Sequence, residues 1–224
     1  MFFDLTMTRL FEYLPKIIWP AIIATIKMLS ASLVIGALLG LIVAIILVLT
    51  NPSGLSPNRF IYRVLNAIVD AIRSFPAIIL IVALTPLTRL IIGTSVGWMA
   101  AVVPLTIAAF PAIARLIEHS LLEVDKNVIL AAKSFGASNG QIIFKVMFVE
   151  ATPSIVSNMT FASIQLLANT TLAGAVGAGG LGAVALTYGY QRFDDVMMYA
   201  IVFILSVMVL SLQFLGRAIY RILK

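Results

Sequence analysis

Cysteine is absent from the 224 residues, and histidine occurs once, at His119. That excludes disulfides, thiolate zinc sites and a thiol nucleophile, and leaves no imidazole cluster for a metal. Charge is scarce as well: 11% of the residues are Asp, Glu, Lys or Arg, against about 25% in a soluble domain. So few charges cannot cover the surface of a water-soluble globule. With 62% hydrophobic residues and a mean hydropathy of +1.11, the chain is expected in a bilayer. No G-x-x-x-x-G-K-[ST] phosphate loop occurs, so ATP is not bound in that way. Carboxylates near the midplane, which ion-driven transporters use, are missing too: Asp70 falls near a span end and the other acids fall in loops or termini. In such a chain the net charge of +6 speaks to loop orientation, not to nucleic acid.

A spanning helix needs about 20 apolar residues. Residues 28–49 supply one span and 196–216 another. Residues 74–88 are too short alone, and span only if they continue back through 62–71, where Asp70 and Arg73 at i,i+3 neutralise each other. Residues 90–114 give a third span, with Thr94 and Ser95 as N-caps. Residues 151–191 are uncharged throughout. There Thr152-Pro153 reads as a helix start and the helix runs to about Leu172. Five glycines between Gly174 and Gly182 then argue for a bend over a second full helix. The expected fold is therefore all-α and membrane-integral with five transmembrane helices; six is the competing count.

Orientation follows from the basic residues. The inner loops of the five-span reading hold Arg59, Arg63, Arg115, Lys126, Lys133, Lys145, Arg217, Arg221 and Lys224, against Arg9, Lys16, Arg89 and Arg192 outside. This distribution places the N-terminus outside and the C-terminus inside. Asp4 and Glu12 spoil a cleavable signal, and residues 1–16 read as an interfacial amphipathic segment.

Five features need a choice of reading. Gly177-x-Gly179-x-x-Gly182 fits the dinucleotide fingerprint, yet it ends a membrane run and follows no strand, so helix packing or a tight bend is favoured. Gly36-x-x-x-Gly40 reads as a close helix contact. His119 can serve a membrane hydrolase only with a nucleophile and an orienting group in reach. In span four Asn158, Gln165 and Asn169 are neutral polar residues that either line a path or hydrogen-bond between helices. Leu172, just before the glycines, reads as core packing or as an apolar gate.

The one long polar connection, residues 119–150, is placed on the inner face. Asp125 caps a helix through Ala131, Ala132, Lys133, Ser134 and Phe135, and Gly136 stops it. Ser138-x-x-Gln141 is a capping box that starts a second helix. Here the chain resembles the permease subunits of ATP-binding-cassette importers, whose loop signature is Glu-Ala-Ala, three residues, Gly, nine residues, then Ile-x-Leu-Pro. This sequence has Leu130-Ala131-Ala132, Gly136 and Val146-Met147-Phe148-Val149 at that spacing, without the glutamate and the proline. Arg73-Ser74-Phe75-Pro76, Pro86-Leu87-Thr88-Arg89, Val103-Pro104-Leu105-Thr106, the segment from Gly174 to Gly182 and Tyr188-Gly189-Tyr190 are similar to the methionine-importer permeases in particular.

The resemblance implies a type I importer fold in the bacterial inner membrane. It implies two copies around a central path for methionine or a related amino acid, and an external binding protein or lipoprotein that delivers the cargo. Two cytoplasmic ATPase subunits would hold ATP and Mg, with no cofactor or metal in this chain. Ala131, Ala132, Ser134, Phe135 and Gly136 become the ATPase-coupling residues. A scaffold without a path and a membrane enzyme are the readings from other classes.

Overall fold

With no water in the bilayer core, backbone N–H and C=O groups must pair within their own segment, and apolar runs therefore fold as helices. The structure is a computed structural model that describes residues 13–223, and every regular element among these is helical. The expected interfacial segment lies outside the described residues for 1–12, as do Arg9 and Lys224.

Helix α1 (Leu14–Thr50) opens with a wide turn over Leu14–Ile18 and is apolar on all sides. Next come α2 (Arg59–Ser74), capped by the Asn58 side chain on the Phe60 and Ile61 amides, α3 (Ala77–Ala83) and α4 (Thr85–Ile92). Helix α5 (Trp98–Leu122) leads to the short α6 (Lys126–Ser134). Helix α7 (Asn139–Ala178) is followed by α8 (Gly180–Val184, continued by Ala185–Tyr190) and α9 (Asp195–Leu223). By length and composition α1, α5, α7 and α9 can each cross a membrane, and α2 with α3 makes a fifth span if that bent pair counts as one.

Three boundaries differ from the sequence reading. The second span is broken: α2 and α3 meet at a bend of 101°, where Pro76 forces Phe75 into extended backbone. Thr94 and Ser95 do not cap a helix, because Gly93 at φ +84° ends α4 and Gly97 at φ +93° delays α5 to Trp98. Thr152 does not start the fourth span. Its hydroxyl donates back to Phe148 O at 2.6 Å inside a helix that began at Asn139. Pro153 is carried within α7, after a wide turn over Ile142–Met147. The glycine-rich segment does bend. Gly177, Gly179 and Gly180 hold positive φ, and α8 is too short to be a sixth span.

The chain forms two compact units, to both of which α1, α5, α7 and α9 contribute. The first comprises Met1–Val34, Pro76–Ala108 and Ser163–Leu212. Its core joins Ile18 and Ala21 of α1, Leu181 and Val184 of α8, and Met197 and Ile201 of α9. Thr25 organises the α8 return: its Oγ1 donates to Ala21 O and accepts the Leu181 amide, each at 2.9 Å. A Cβ on Gly182 would run into the backbone of Thr171, so only glycine lets α8 lie this close to α7.

The second unit comprises Ile35–Phe75, Ala109–Ala162 and Gln213–Lys224. A Cβ on Gly40 would approach Phe110 O to 2.9 Å, which makes this the close α1–α5 contact expected of the Gly36/Gly40 pair. Arg115 of α5 joins Glu118 at 2.8 Å and Asp70 of α2 at 3.0 Å. The expected Asp70–Arg73 pair is longer, at 3.8 Å.

Candidate coupling surface and path residues

Helix α6 is short, and local chemistry defines both of its ends. Asp125 accepts the Asn127 amide at 2.8 Å, closing the N-terminus. At the other end the amides of Phe135, Gly136 and Ala137 bond to Ala131 O, Lys133 O and Ala132 O. Gly136 takes φ +79°, a left-handed stop. The chain then re-enters helix through the reciprocal capping box of Ser138 and Gln141. Asn139 Nδ2 donates to Leu55 O at 3.3 Å, which ties this knuckle to the α1–α2 connection. A cavity of about 220 Å³ lies behind α6, lined among others by Val48, Leu55, Leu121, Ile129, Leu130 and Met147.

Beside the exposed Lys126, Asn127 and Lys133, α6 and its C-terminal end present apolar side chains that are not buried. Phe135 is 91% exposed and Leu130 58%. Ala131 and Ser134 are exposed and Ala132 is half-buried. The Ser134 hydroxyl is turned back onto Leu130 O at 3.0 Å. The five residues read as coupling residues therefore sit together, on a helix closed by its own caps. A 91%-exposed phenylalanine gains nothing from the chain's own core, and it is the kind of anchor that dominates interfaces.

The four path candidates all lie on α7 but differ in surroundings. Asn158 is engaged: its Nδ2 donates to Ser120 Oγ at 2.8 Å and contacts Leu116 O at 3.4 Å. Ser154 extends this α5–α7 seam to Ser120 and to Glu123. Asn158 thus joins helices, one of its two expected roles. In the first unit Gln165 is exposed, Asn169 half-buried and Leu172 38% exposed.

His119 pairs through Nδ1 with Glu123 Oε1 at 3.2 Å, and not with a serine. The seam of Ser120, Ser154 and Asn158, and the Asp70–Arg115–Glu118 cluster, escaped sequence reasoning. Apart from the local i,i+3 pair Arg115–Glu118, their partners lie 31 to 45 residues apart, beyond any local signal.

Residues 36–224 match the model of the family described as binding-protein-dependent transport system inner membrane component. This chain belongs to that family. It is a multi-pass protein of the bacterial inner membrane and a transport permease of the ATP-binding-cassette class. It is 43% identical over 197 residues to the probable D-methionine transport system permease protein MetI of Vibrio cholerae, covering 88% of each chain. It is 43% identical over 179 residues to the methionine import system permease protein MetP of Bacillus subtilis, covering 80% of each. A chain from inward-facing conformations of the MetNI methionine ABC transporter superposes with a TM-score of 0.91 at 38% identity, covering 96% of this chain and 98% of that one.

Proposed function

We propose that this permease forms, with a second copy of itself, the translocation path of an ATP-driven importer for methionine or a related amino acid. A permease with no phosphate loop must receive its energy from another subunit, through something stiff. Helix α6 is the element suited to that task, and the observation that carries the assignment is Phe135, 91% exposed at the end of a helix capped at both termini. In this reading Phe135, Leu130 and Ala131 seat in a groove of a cytoplasmic ATPase, with one ATPase subunit per permease copy. ATP and Mg are held there, and no hydrolysis occurs in this chain. Gly136 sets the angle at which α6 meets α7. The N-terminus lies outside, the C-terminus and residues 119–150 inside, and an external binding protein delivers the cargo. Gln165, Asn169 and Leu172 face the path, whereas Asn158 holds α7 to α5 beside it.

The methionine names of the relatives support the choice of cargo. The test is uptake of labelled methionine by vesicles holding the permease with its ATPase and binding protein, for the parent and for Phe135→Ala. The variant is expected to insert normally, retain less ATPase on pull-down and lose uptake. Parental ATPase capture and uptake by Phe135→Ala would remove the coupling assignment. Uptake of another amino acid in preference to methionine would change the cargo alone.

A further inference from the structure

We infer that the second unit carries a binding site for an anionic phospholipid headgroup, in a cleft between α7 and α9. The cleft has a volume of about 390 Å³ and is lined by Ser157, Thr160, Gln213, Gly216, Arg217 and Tyr220. Its floor is made by close approach of the two helices, since a Cβ on Gly216 would collide with the Thr160 side chain. Five of the six lining residues bring polar side chains, one of them a cation and none an acid.

Arg217 is the centre of the site. Its Nε donates to Gln213 O at 3.3 Å, and no carboxylate among the described residues lies within 4 Å of the guanidinium. The Nη groups are thus left to bind a group from outside the chain. Arg217 directly follows the 21 uncharged residues 196–216, which places it at the edge of an apolar span, at headgroup depth. Arg221 lies one turn further on. The flanks of the cleft on α9 are apolar and unburied, with Phe214 69% and Ile219 48% exposed.

An anionic pocket-filler with apolar tails fits these features, and a zwitterionic amino acid does not. The ammonium of an amino acid would need a counterion, and the lining offers none. A phosphodiester fits the site, taking charge-assisted bonds from Arg217 and a neutral one from Ser157 while its acyl chains run back along the apolar span past Phe214.

The experiment is native mass spectrometry of the intact permease, with its ATPase where they co-purify. Protein is released from nanodiscs of equal phosphatidylglycerol and phosphatidylcholine, for the parent, Arg217→Gln, Arg217→Lys and Ser157→Leu. The parent is expected to retain phosphatidylglycerol over phosphatidylcholine, with the preference falling about tenfold in Arg217→Gln, the worth of one charge-assisted bond. Arg217→Lys should keep much of it, and Ser157→Leu should lose it by filling the cleft with the charge intact. Circular dichroism of each variant checks that the helices remain. No preference in the parent, or an unchanged preference in Arg217→Gln, overturns the site. Displacement by soluble glycerol phosphate at concentrations comparable to the lipid would make it a free-anion site, and displacement by millimolar methionine a cargo site. Either result refutes the lipid assignment.

Discussion

Gly136 offers the sharpest test of the coupling surface, because two physical effects there predict opposite orders of damage. The residue sits at φ +79°, and a Cβ built on it meets nothing within 4 Å. Within this chain, therefore, the cost of a side chain is conformational and not steric. An ordinary L residue pays about 1–2 kcal/mol in the left-handed region, while Asn and Asp pay less because their short polar side chains bond locally. By strain alone Gly136→Ala should be worse than Gly136→Asp. At about 1.4 kcal/mol per factor of ten, an alanine depopulates the native turn by roughly five- to thirtyfold. A seated ATPase reverses the order. The open space beside Gly136 is then where the partner lies, and the larger, charged aspartate clashes and is desolvated where alanine is merely strained. Two measurements on the same variants separate the effects: thermal unfolding of the isolated permease, and ATPase capture with vesicle uptake. Unfolding should rank Ala below Asp, and capture and uptake should rank Asp below Ala. Alanine ranking worse in both would show that Gly136 acts through its turn only, refuting the idea that the surface around it is covered by a partner.

Other expectations follow from single contacts. Thr25→Val removes the acceptor of the buried Leu181 amide and should lower stability by about 1–3 kcal/mol, the cost of an orphaned buried donor; Thr25→Ser should restore most of it, as read by thermal unfolding in detergent. Since the chain has no cysteine, single cysteines report access cleanly. Gln165→Cys is expected to react with a membrane-impermeant thiol reagent in the assembled transporter, and Asn158→Cys, packed against Ser120, to react far more slowly; equal rates would contradict the division made within α7. Leu172→Ala should raise passive leak or uncoupled ATP hydrolysis if its side chain closes the path by dewetting, and unchanged leak and hydrolysis would leave Leu172 as ordinary packing.

Composition and near neighbours along the chain are enough to specify part of this protein. Scarce charge and long apolar runs placed the chain in a bilayer and made it helical. Asp125 and Gly136 delimit α6 and the Ser138/Gln141 box starts α7, because each cap bonds within three residues of itself. The glycines from Gly174 onward announced a bend because positive φ is a local steric allowance. Other features depend on partners far away in the chain and follow from packing. Pro153 follows Thr152 as it would at a helix start, yet it is carried inside α7, because Ser138 already nucleates the helix and the wide turn over Ile142–Met147 precedes it. Pro76, in contrast, turns its helix pair through 101°. Asp70 has Arg73 within reach on its own helix but bonds more closely to Arg115, 45 residues away. Asn158 had two open roles until α5 brought Ser120 against it. The Arg217 cleft likewise exists because Gly216 lets α9 close on Thr160 of α7. A cap is chosen by its neighbours in the chain, whereas a buried polar group is satisfied by whichever helix packs beside it, and that choice is made by the fold as a whole.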